Sequence, residues 1–266
     1  MELIIWNDAQ KEFMYENLIS EYITRIPYKI YQGEKNLGSN GAFFELTKHA
    51  KGQYIAYCDQ DDEWLSNKVF EMYEAIQKEK ADLVCCDMLV IDGDNKKIGE
   101  TISDVRPKQV FYDGDNLFKY LIWRNFVTGC ASLVSTKFAK EAFPIPKGFY
   151  HDWWIAIYVA AYGKIFCLKK SLLKYRIHDK NQTGAKNHLN SKEEYFPYVI
   201  ETLYEQSKAL MLRYGNTKFS KDIIDFDNLM ILRRSYFEKP TLSKALKLIY
   251  FLFKVEFGKK ELSLNL

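Results

Sequence analysis

The sequence has no cysteine framework. Its five cysteines, Cys58, Cys85, Cys86, Cys130 and Cys167, are odd in number and contain no C-x-x-C pair, and each lies in or beside an apolar run. This argues against a disulfide scaffold or a cysteine-built zinc site and predicts reduced core thiols, as in a cytosolic protein. Long apolar runs are also missing, since nothing approaches the roughly 20 residues needed to span a bilayer. The opening stretch, Met1 to Asp8, reaches an acid at its second residue and has too few apolar residues for a signal peptide. Neither sign of charge dominates: 38 Lys+Arg against 35 Asp+Glu leave a net +3, too balanced for a nucleic-acid binder without a local basic patch. Internal repeats and low-complexity tracts are absent. What remains is a soluble or peripheral protein with a weak preference for an anionic ligand.

Of the 266 residues, 47% are apolar, enough for a full core in one large domain or two small ones. Leu3-Ile4-Ile5-Trp6 is a continuous apolar run of the kind found in a strand buried on both faces. Further strands are predicted at Tyr28 to Tyr31, Tyr54 to Cys58, Leu83 to Cys86, Ala131 to Val134 and Lys164 to Leu168. Between them, helical spacing runs through Tyr15 to Ile23, Phe43 to Ala50, Val69 to Ile76, Leu117 to Trp123 and Trp153 to Tyr162. Strand and helix in alternation predict an α/β fold, a mostly parallel sheet with helices on both faces over residues 1–188. Residues 189–266 carry only helical periods and form a C-terminal helical region. Its last helix sets Lys244, Lys247, Lys254, Lys259 and Lys260 beside Leu246, Ile249, Tyr250, Phe251 and Phe253, a basic amphipathic pattern suited either to an anionic membrane or to packing with a basic outer face.

Ligands of such sheets bind beyond the carboxyl ends of the strands. Acids recur there: Asp8, Asp59 to Asp62, and Asp87. In Asp59-Gln60-Asp61-Asp62-Glu63, four acids within five residues repel one another unless water or a cation relieves them. Oxygen-rich clusters of this kind suit Mg²⁺ or Mn²⁺. A calcium EF-hand loop would need Gly where Trp64 stands, and acids at a helix N-terminus are the plainer alternative.

The run Gly52 to Lys68, GQYIAYCDQDDEWLSNK, resembles the signature of family 2 glycosyltransferases, which have the GT-A fold and a D-x-D metal motif. Asn36-Leu37-Gly38, Thr128-Gly129-Cys130, His151-Asp152-Trp153-Trp154 and Tyr175-Arg176-Ile177-His178 follow the order of the bacterial rhamnosyltransferase-like branch, so the resemblance covers residues 2 to about 188. It implies that Asp59 and Asp61 form the D-x-D pair, with Asp61 the direct ligand of a divalent cation bridging the donor's phosphates and Asp62 a ligand or a support. It implies nucleotide contact for Asp8, with a turn or helix cap as the plain alternative. Asp152 falls on the family's general base, in a place where an N-cap is the alternative, and His151 stands where relatives often have Glu. The resemblance sets His178 near the metal or diphosphate and Arg176 against phosphate oxygens. It puts Thr128, Gly129, Trp153 and Trp154 on the acceptor side, although core packing explains the tryptophans nearly as well.

The activity implied is an inverting, metal-dependent transfer from a UDP- or dTDP-sugar to a hydroxyl of a surface polysaccharide or a lipid-linked glycan, in the cytoplasm or on the inner face of the membrane. A nucleotidyltransferase of related fold is the first alternative, but it would carry a glycine-rich basic loop after its first strand, and none is present. A weakly active remnant is the second. In the resembled family a strand and helix precede the strand that matches Glu2 to Trp6. That extra strand would lie between the strands at Leu3 and Tyr54, and buried backbone groups left unpaired are costly. Either those two strands close on one another, or the chain is a fragment that binds nucleotide poorly.

Overall fold

A computed structural model describes residues 1–9, 15–107, 109–178 and 195–251. In chain order the elements are β1 (Leu3–Asn7), α1 (Tyr15–Tyr22), β2 (Tyr28–Gln32), α2 (Gly38–His49), β3 (Tyr54–Ala56), β4 (Glu63–Trp64), α3 (Lys68–Glu79), β5 (Leu83–Ile91) and β6 (Lys97–Gly99). There follow α4 (Ile102–Val105), α5 (Phe118–Leu121), β7 (Ser132–Ser135), α6 (Thr136–Ala142), α7 (His151–Tyr162), β8 (Ile165–Arg176), α8 (Glu201–Tyr214) and α9 (Ser220–Glu238). The chain divides into two compact units, one of residues 1–145 and 149–185 and one of 146–148 and 186–266.

Among the described residues, all the strands lie in the first unit, in two sheets. β1 pairs with β2 in parallel, Leu3 opposite Tyr28 through Asn7 opposite Gln32. The larger sheet has the order β3-β7-β5-β8-β4, with β6 added along β5. At its centre Leu83 to Cys86 are buried, and Val84 and Cys86 cluster with Met72 and Ile76 of α3 and with Leu172 and Leu173 of β8. The α/β layout is as expected, but the sense of strand pairing needs correcting. Among the described residues the β1–β2 and β5–β8 ladders are parallel, while β3–β7, β5–β7, β4–β8 and β5–β6 are antiparallel. Apolar runs report burial on both faces, and a central strand is buried in that way whichever direction it runs.

No ladder among the described residues joins β1 to β3, so the two strands do not close on one another. Glu2 Oε1 accepts from the amides of Lys51 and Gly52, tying the start of β1 to the turn before β3. Leu3, Ile4, Ile5 and Trp6 of β1, and Tyr54, Ile55 and Ala56 of β3, are only half-buried, unlike the apolar residues of β5. β8 also departs from expectation, running 12 residues where five were predicted. It continues past the exposed Lys169 and Lys170 with shifts of register against β5, and so carries Arg176 to the end of the sheet where the acidic loop lies.

Four of the five cysteines are buried free thiols, as expected, but Cys58 is exposed at the mouth of the acidic loop. In the second unit, α8 and α9 bury Leu210, Tyr214, Ile223 and Phe226. Residues 242–251 are helical, and Leu242, Leu246, Ile249 and Tyr250 form an exposed apolar stripe along them. Lys244 donates to the carbonyls of Ser235 and Lys239 at the end of α9. Phe253, Lys254, Lys259 and Lys260 lie outside the described residues. Among the described residues no helix is long and apolar enough to cross a membrane.

Candidate active site

After β3 the chain buries Tyr57, whose hydroxyl pairs with Thr47 Oγ1 at 2.8 Å, and then turns outward through Cys58 to Asp62 before β4 locks against β8. Arg176 organises this turn. Its backbone amide donates to Asp62 Oδ1 at 2.9 Å and its Nε to the Asp61 carbonyl at 2.8 Å. One terminal nitrogen donates to Glu63 at 3.0 Å, the other to the Asp92 carbonyl and to Asn95. A guanidinium has five N–H donors in a fixed fork, and here they hold the loop in shape rather than standing open to a phosphate.

The four acids divide into two groups. Asp61 Oδ2 lies 3.0 Å from His178 Nε2, which brings together two residues expected at the cation. Asp59, Asp62 and Cys130 each offer an atom within 4.8 Å of the other two. Burial, with the charges of Asp62, Asp61 and Asp152 added, pushes the Asp59 carboxyl up to about 7. Asp62 is raised as well, mainly by burial, and its Oδ2 is buried without a hydrogen-bond partner. Crowded acids, an orphaned carboxylate oxygen and an adjacent imidazole fit a divalent cation. Beneath them Lys68 is fully buried, its ammonium 2.6 Å from the Cys130 carbonyl and 3.5 Å from the centre of the Trp64 ring. Burial lowers its pKa.

Asp152 stands in the first turn of α7. The first amide of that helix, on His151, is capped by Asn40 Oδ1 at 2.9 Å, while Asn40 Nδ2 holds the Phe149 carbonyl at 2.7 Å. An N-cap from α2 therefore relieves Asp152 of that duty. Its Oδ2 accepts from the Gly129 amide at 3.1 Å and its Oδ1 from the Trp153 amide at 2.5 Å. Burial outweighs these two bonds and lifts its pKa to about 6. Its charge is among those that raise the Asp59 carboxyl.

Behind Asp152, His151 is packed flat on Phe43 at 4.0 Å with both ring nitrogens unpartnered, and burial lowers its pKa to about 3, so the ring is neutral. A Cβ at Gly129 would stand 2.6 Å from His151 Nε2, so only glycine lets this backbone approach.

The remaining expected site residues have more local partners. Asp8 accepts from the amides of Leu37 and Gly38 at 2.8 Å each and from the Trp6 indole at 3.2 Å, so it ties down the start of α2. Trp154 is a core residue, 1% exposed, with its indole N–H on the Ala142 carbonyl. Trp153 is half-buried, its N–H on the Leu121 carbonyl, and Thr128 is half-buried beside it in the sequence of the Gly129 turn. Asn40, Asn125 and Lys68 were not singled out from the sequence. Asn125 bridges the Val127 amide and carbonyl and so shapes the approach to Gly129.

Comparison with known proteins agrees with this geometry. The glycosyl transferase family 2 model matches residues 1–143, more than half of the chain. The chain belongs to that family. It is therefore a glycosyltransferase. Among similar proteins, an uncharacterized glycosyltransferase of Rickettsia typhi is 25% identical over 231 residues, 85% of this chain and 70% of the relative. One from Nostoc is 26% identical over 201 residues, 72% of this chain and 58% of the relative. The chain thus spans between 58% and 70% of the length of these relatives. The crystal structure of S. aureus TarS 1-349 in complex with UDP-GlcNAc superposes with a TM-score of 0.58 at 14% identity, covering 96% of this chain and 71% of TarS 1-349, and shares the GT-A fold. A TarS 1-349 complex with UDP gives 0.56.

Proposed function

We propose that the family 2 enzyme described here is an inverting, divalent-cation-dependent transferase that moves a sugar from a UDP- or dTDP-linked donor to a hydroxyl of a surface polysaccharide or a lipid-linked glycan. The observation that carries this reading is the acidic loop, where Asp61 Oδ2 meets His178 Nε2 at 3.0 Å and Asp62 buries an orphaned carboxylate oxygen, together with a second carboxylate, Asp152, held by the Gly129 and Trp153 amides. The nucleotide sugar and UDP bound by the structurally similar TarS support a donor of that class.

Asp59, Asp61 and His178 would hold Mn²⁺ or Mg²⁺, which supplies charge stabilisation to a departing nucleoside diphosphate. Asp152 takes the proton from the acceptor hydroxyl as that oxygen bonds to the anomeric carbon. The bond from the anomeric carbon to the phosphate oxygen breaks on the opposite face, and its electron pair leaves with the diphosphate. Thr128, Gly129 and Trp153 form the acceptor side, Arg176 positions the acidic loop, and Asp8 orders the Asn36-Leu37-Gly38 segment on the nucleotide side. Incubated with a panel of nucleotide sugars and Mn²⁺, the chain should release nucleoside diphosphate from a UDP- or dTDP-sugar. Release from none of the panel would overturn the reading.

The same proposal gives the exposed stripe of Leu242, Leu246, Ile249 and Tyr250, with Lys247 beside it, an anionic membrane surface that presents the acceptor. Flotation with liposomes should then increase with the anionic lipid fraction. A flat response removes the membrane from the account.

A further inference from the structure

Asn40 joins the start of one helix to the start of another. It lies in the first turn of α2, and both ends of its side-chain amide are spent on the backbone that leads into α7. Oδ1 accepts from the His151 amide at 2.9 Å, and Nδ2 donates to the Phe149 carbonyl at 2.7 Å. These two partners fix which way the amide points, because turning it over would set donor against donor and acceptor against acceptor. Beside the clamp, the His151 ring lies flat on Phe43 of α2 at 4.0 Å, a contact without directed bonds from the ring nitrogens.

Helix α7 makes no cap of its own. Tyr150 occupies the N-cap position without a side-chain cap bond, and the Trp154 amide bonds the Tyr150 carbonyl at 3.0 Å as the first turn closes. The amides of His151, Asp152 and Trp153 precede that bond and have no carbonyl within the helix to meet. Asn40 takes the first of them, and Asp152 Oδ1 takes the third. Asp152 Oδ2 is thereby left to the Gly129 amide at 3.1 Å, in the turn before β7. The carboxylate thus stands on the one turn of α7 that the clamp from α2 holds. At its other side the start of α2 is itself fixed, because Asp8 accepts from the Leu37 and Gly38 amides at 2.8 Å each.

We propose that Asn40 is a positioning residue for glycosyl transfer, which fixes the first turn of α7 and so aims the Asp152 carboxylate at the acceptor hydroxyl. The inference rests on reading Asp152 as the base and adds the residue that holds it in place. Losing a side-chain cap frays the first turn of a helix and leaves the rest standing. Here the rest is anchored by Trp154, Ile155, Ile157 and Val159, all buried. A reacting group displaced by about 1 Å can lose up to about 100-fold in rate.

The test compares wild type, Asn40→Ala, Asp152→Asn and the double variant as full chains, with Mn²⁺ and the UDP- or dTDP-sugar that wild type turns over fastest. Asn40→Ala should lower kcat about 10- to 100-fold while the affinity for UDP with Mn²⁺, measured by calorimetry, stays within about 2-fold of wild type. In the Asp152→Asn background the same change should cost less than about 2-fold, because the group it aims is already disabled. Asn40→Asp keeps an acceptor facing the His151 amide at a helix N-terminus, and its kcat should stay within about 3-fold of wild type. Circular dichroism checks each fold, and should Asn40→Ala unfold, Asn40→Asp decides alone, a loss beyond about 3-fold counting against the clamp. Unchanged kcat in Asn40→Ala, an equal loss in both backgrounds, or a fall in UDP affinity as large as the fall in kcat overturns the positioning role and leaves Asp152 standing as the base. Wild-type turnover by Asp152→Asn, or no release by wild type, removes the base and this inference with it.

Discussion

Asp152→Asn should lower turnover by on the order of 10²–10⁴ while leaving donor affinity nearly unchanged. The amide keeps the shape of the side chain but cannot take a proton. The same residue predicts opposite pH dependences for activity and stability. Its pKa in the folded chain is about 6, against an ordinary value of 3.8, because burial disfavours the charged form. The folded state therefore binds the proton more tightly than the unfolded state. The contribution of Asp152 makes the protein more stable as pH falls through about 6 toward 4, and the ionised carboxylate is a stability cost above that window. Activity runs the other way, because the base works only when ionised and is lost below about pH 6. Thermal unfolding and initial rates measured across pH 5–8 check both slopes. In Asp152→Asn the rise in stability on acidification should be smaller than in wild type, and an identical rise would assign it to other groups.

The second large effect is expected at Asp61. Asp61→Ala should abolish the dependence of nucleotide binding on Mn²⁺, weakening binding in the presence of Mn²⁺ by at least about 10-fold. The fold should survive. The Asp61 carboxylate pairs with His178, whereas the loop itself is held through the Asp61 backbone carbonyl, which Arg176 grips whatever the side chain. Removing one of the charges that raise Asp59 also relieves repulsion, so the unfolding temperature should stay level or rise. Calorimetry with UDP, with and without Mn²⁺, measures the first effect, and unchanged Mn²⁺ dependence in the variant would detach Asp61 from the cation.

Much of this architecture could be read from the residues in order. Apolar runs located the buried strands because a strand covered on both faces has no polar positions, and acids at strand ends marked the ligand side of the sheet. Strand direction could not be read, because Leu133 and Val134 are as buried in an antiparallel strand as they would be in a parallel one. Two pieces that shape the site were also hidden. β4 is only two residues long and begins with an acid, and the outer half of β8 starts with two exposed lysines, so neither shows the alternation of a strand. Their pairing nonetheless brings Glu63 opposite Lys174 and Arg176 onto the acidic loop.

Individual roles were harder to read than positions. Arg176 looks like a phosphate ligand in sequence because nothing local reveals that its donors meet Asp61, Glu63, Asp92 and Asn95. Cys130 reads as a core thiol, and it is buried, but its relation to Asp59 and Asp62 depends on chain segments some 70 residues apart. Asn40 gives no sequence signal for capping α7, because the helix it caps begins 111 residues later. Contacts of this range are set by the packing of β3, β7 and α7, and no local pattern encodes them.

The central claim is that the acidic loop and Asp152 form one site for glycosyl transfer from a nucleotide sugar. It is tested most directly by measuring nucleoside-diphosphate release from UDP- and dTDP-sugars by wild type, with and without Mn²⁺, beside Asp152→Asn at pH 7.5. Release that requires Mn²⁺ in wild type and falls at least 100-fold in Asp152→Asn is the expected result. Release by Asp152→Asn at the wild-type rate, or release indifferent to Mn²⁺, would contradict it.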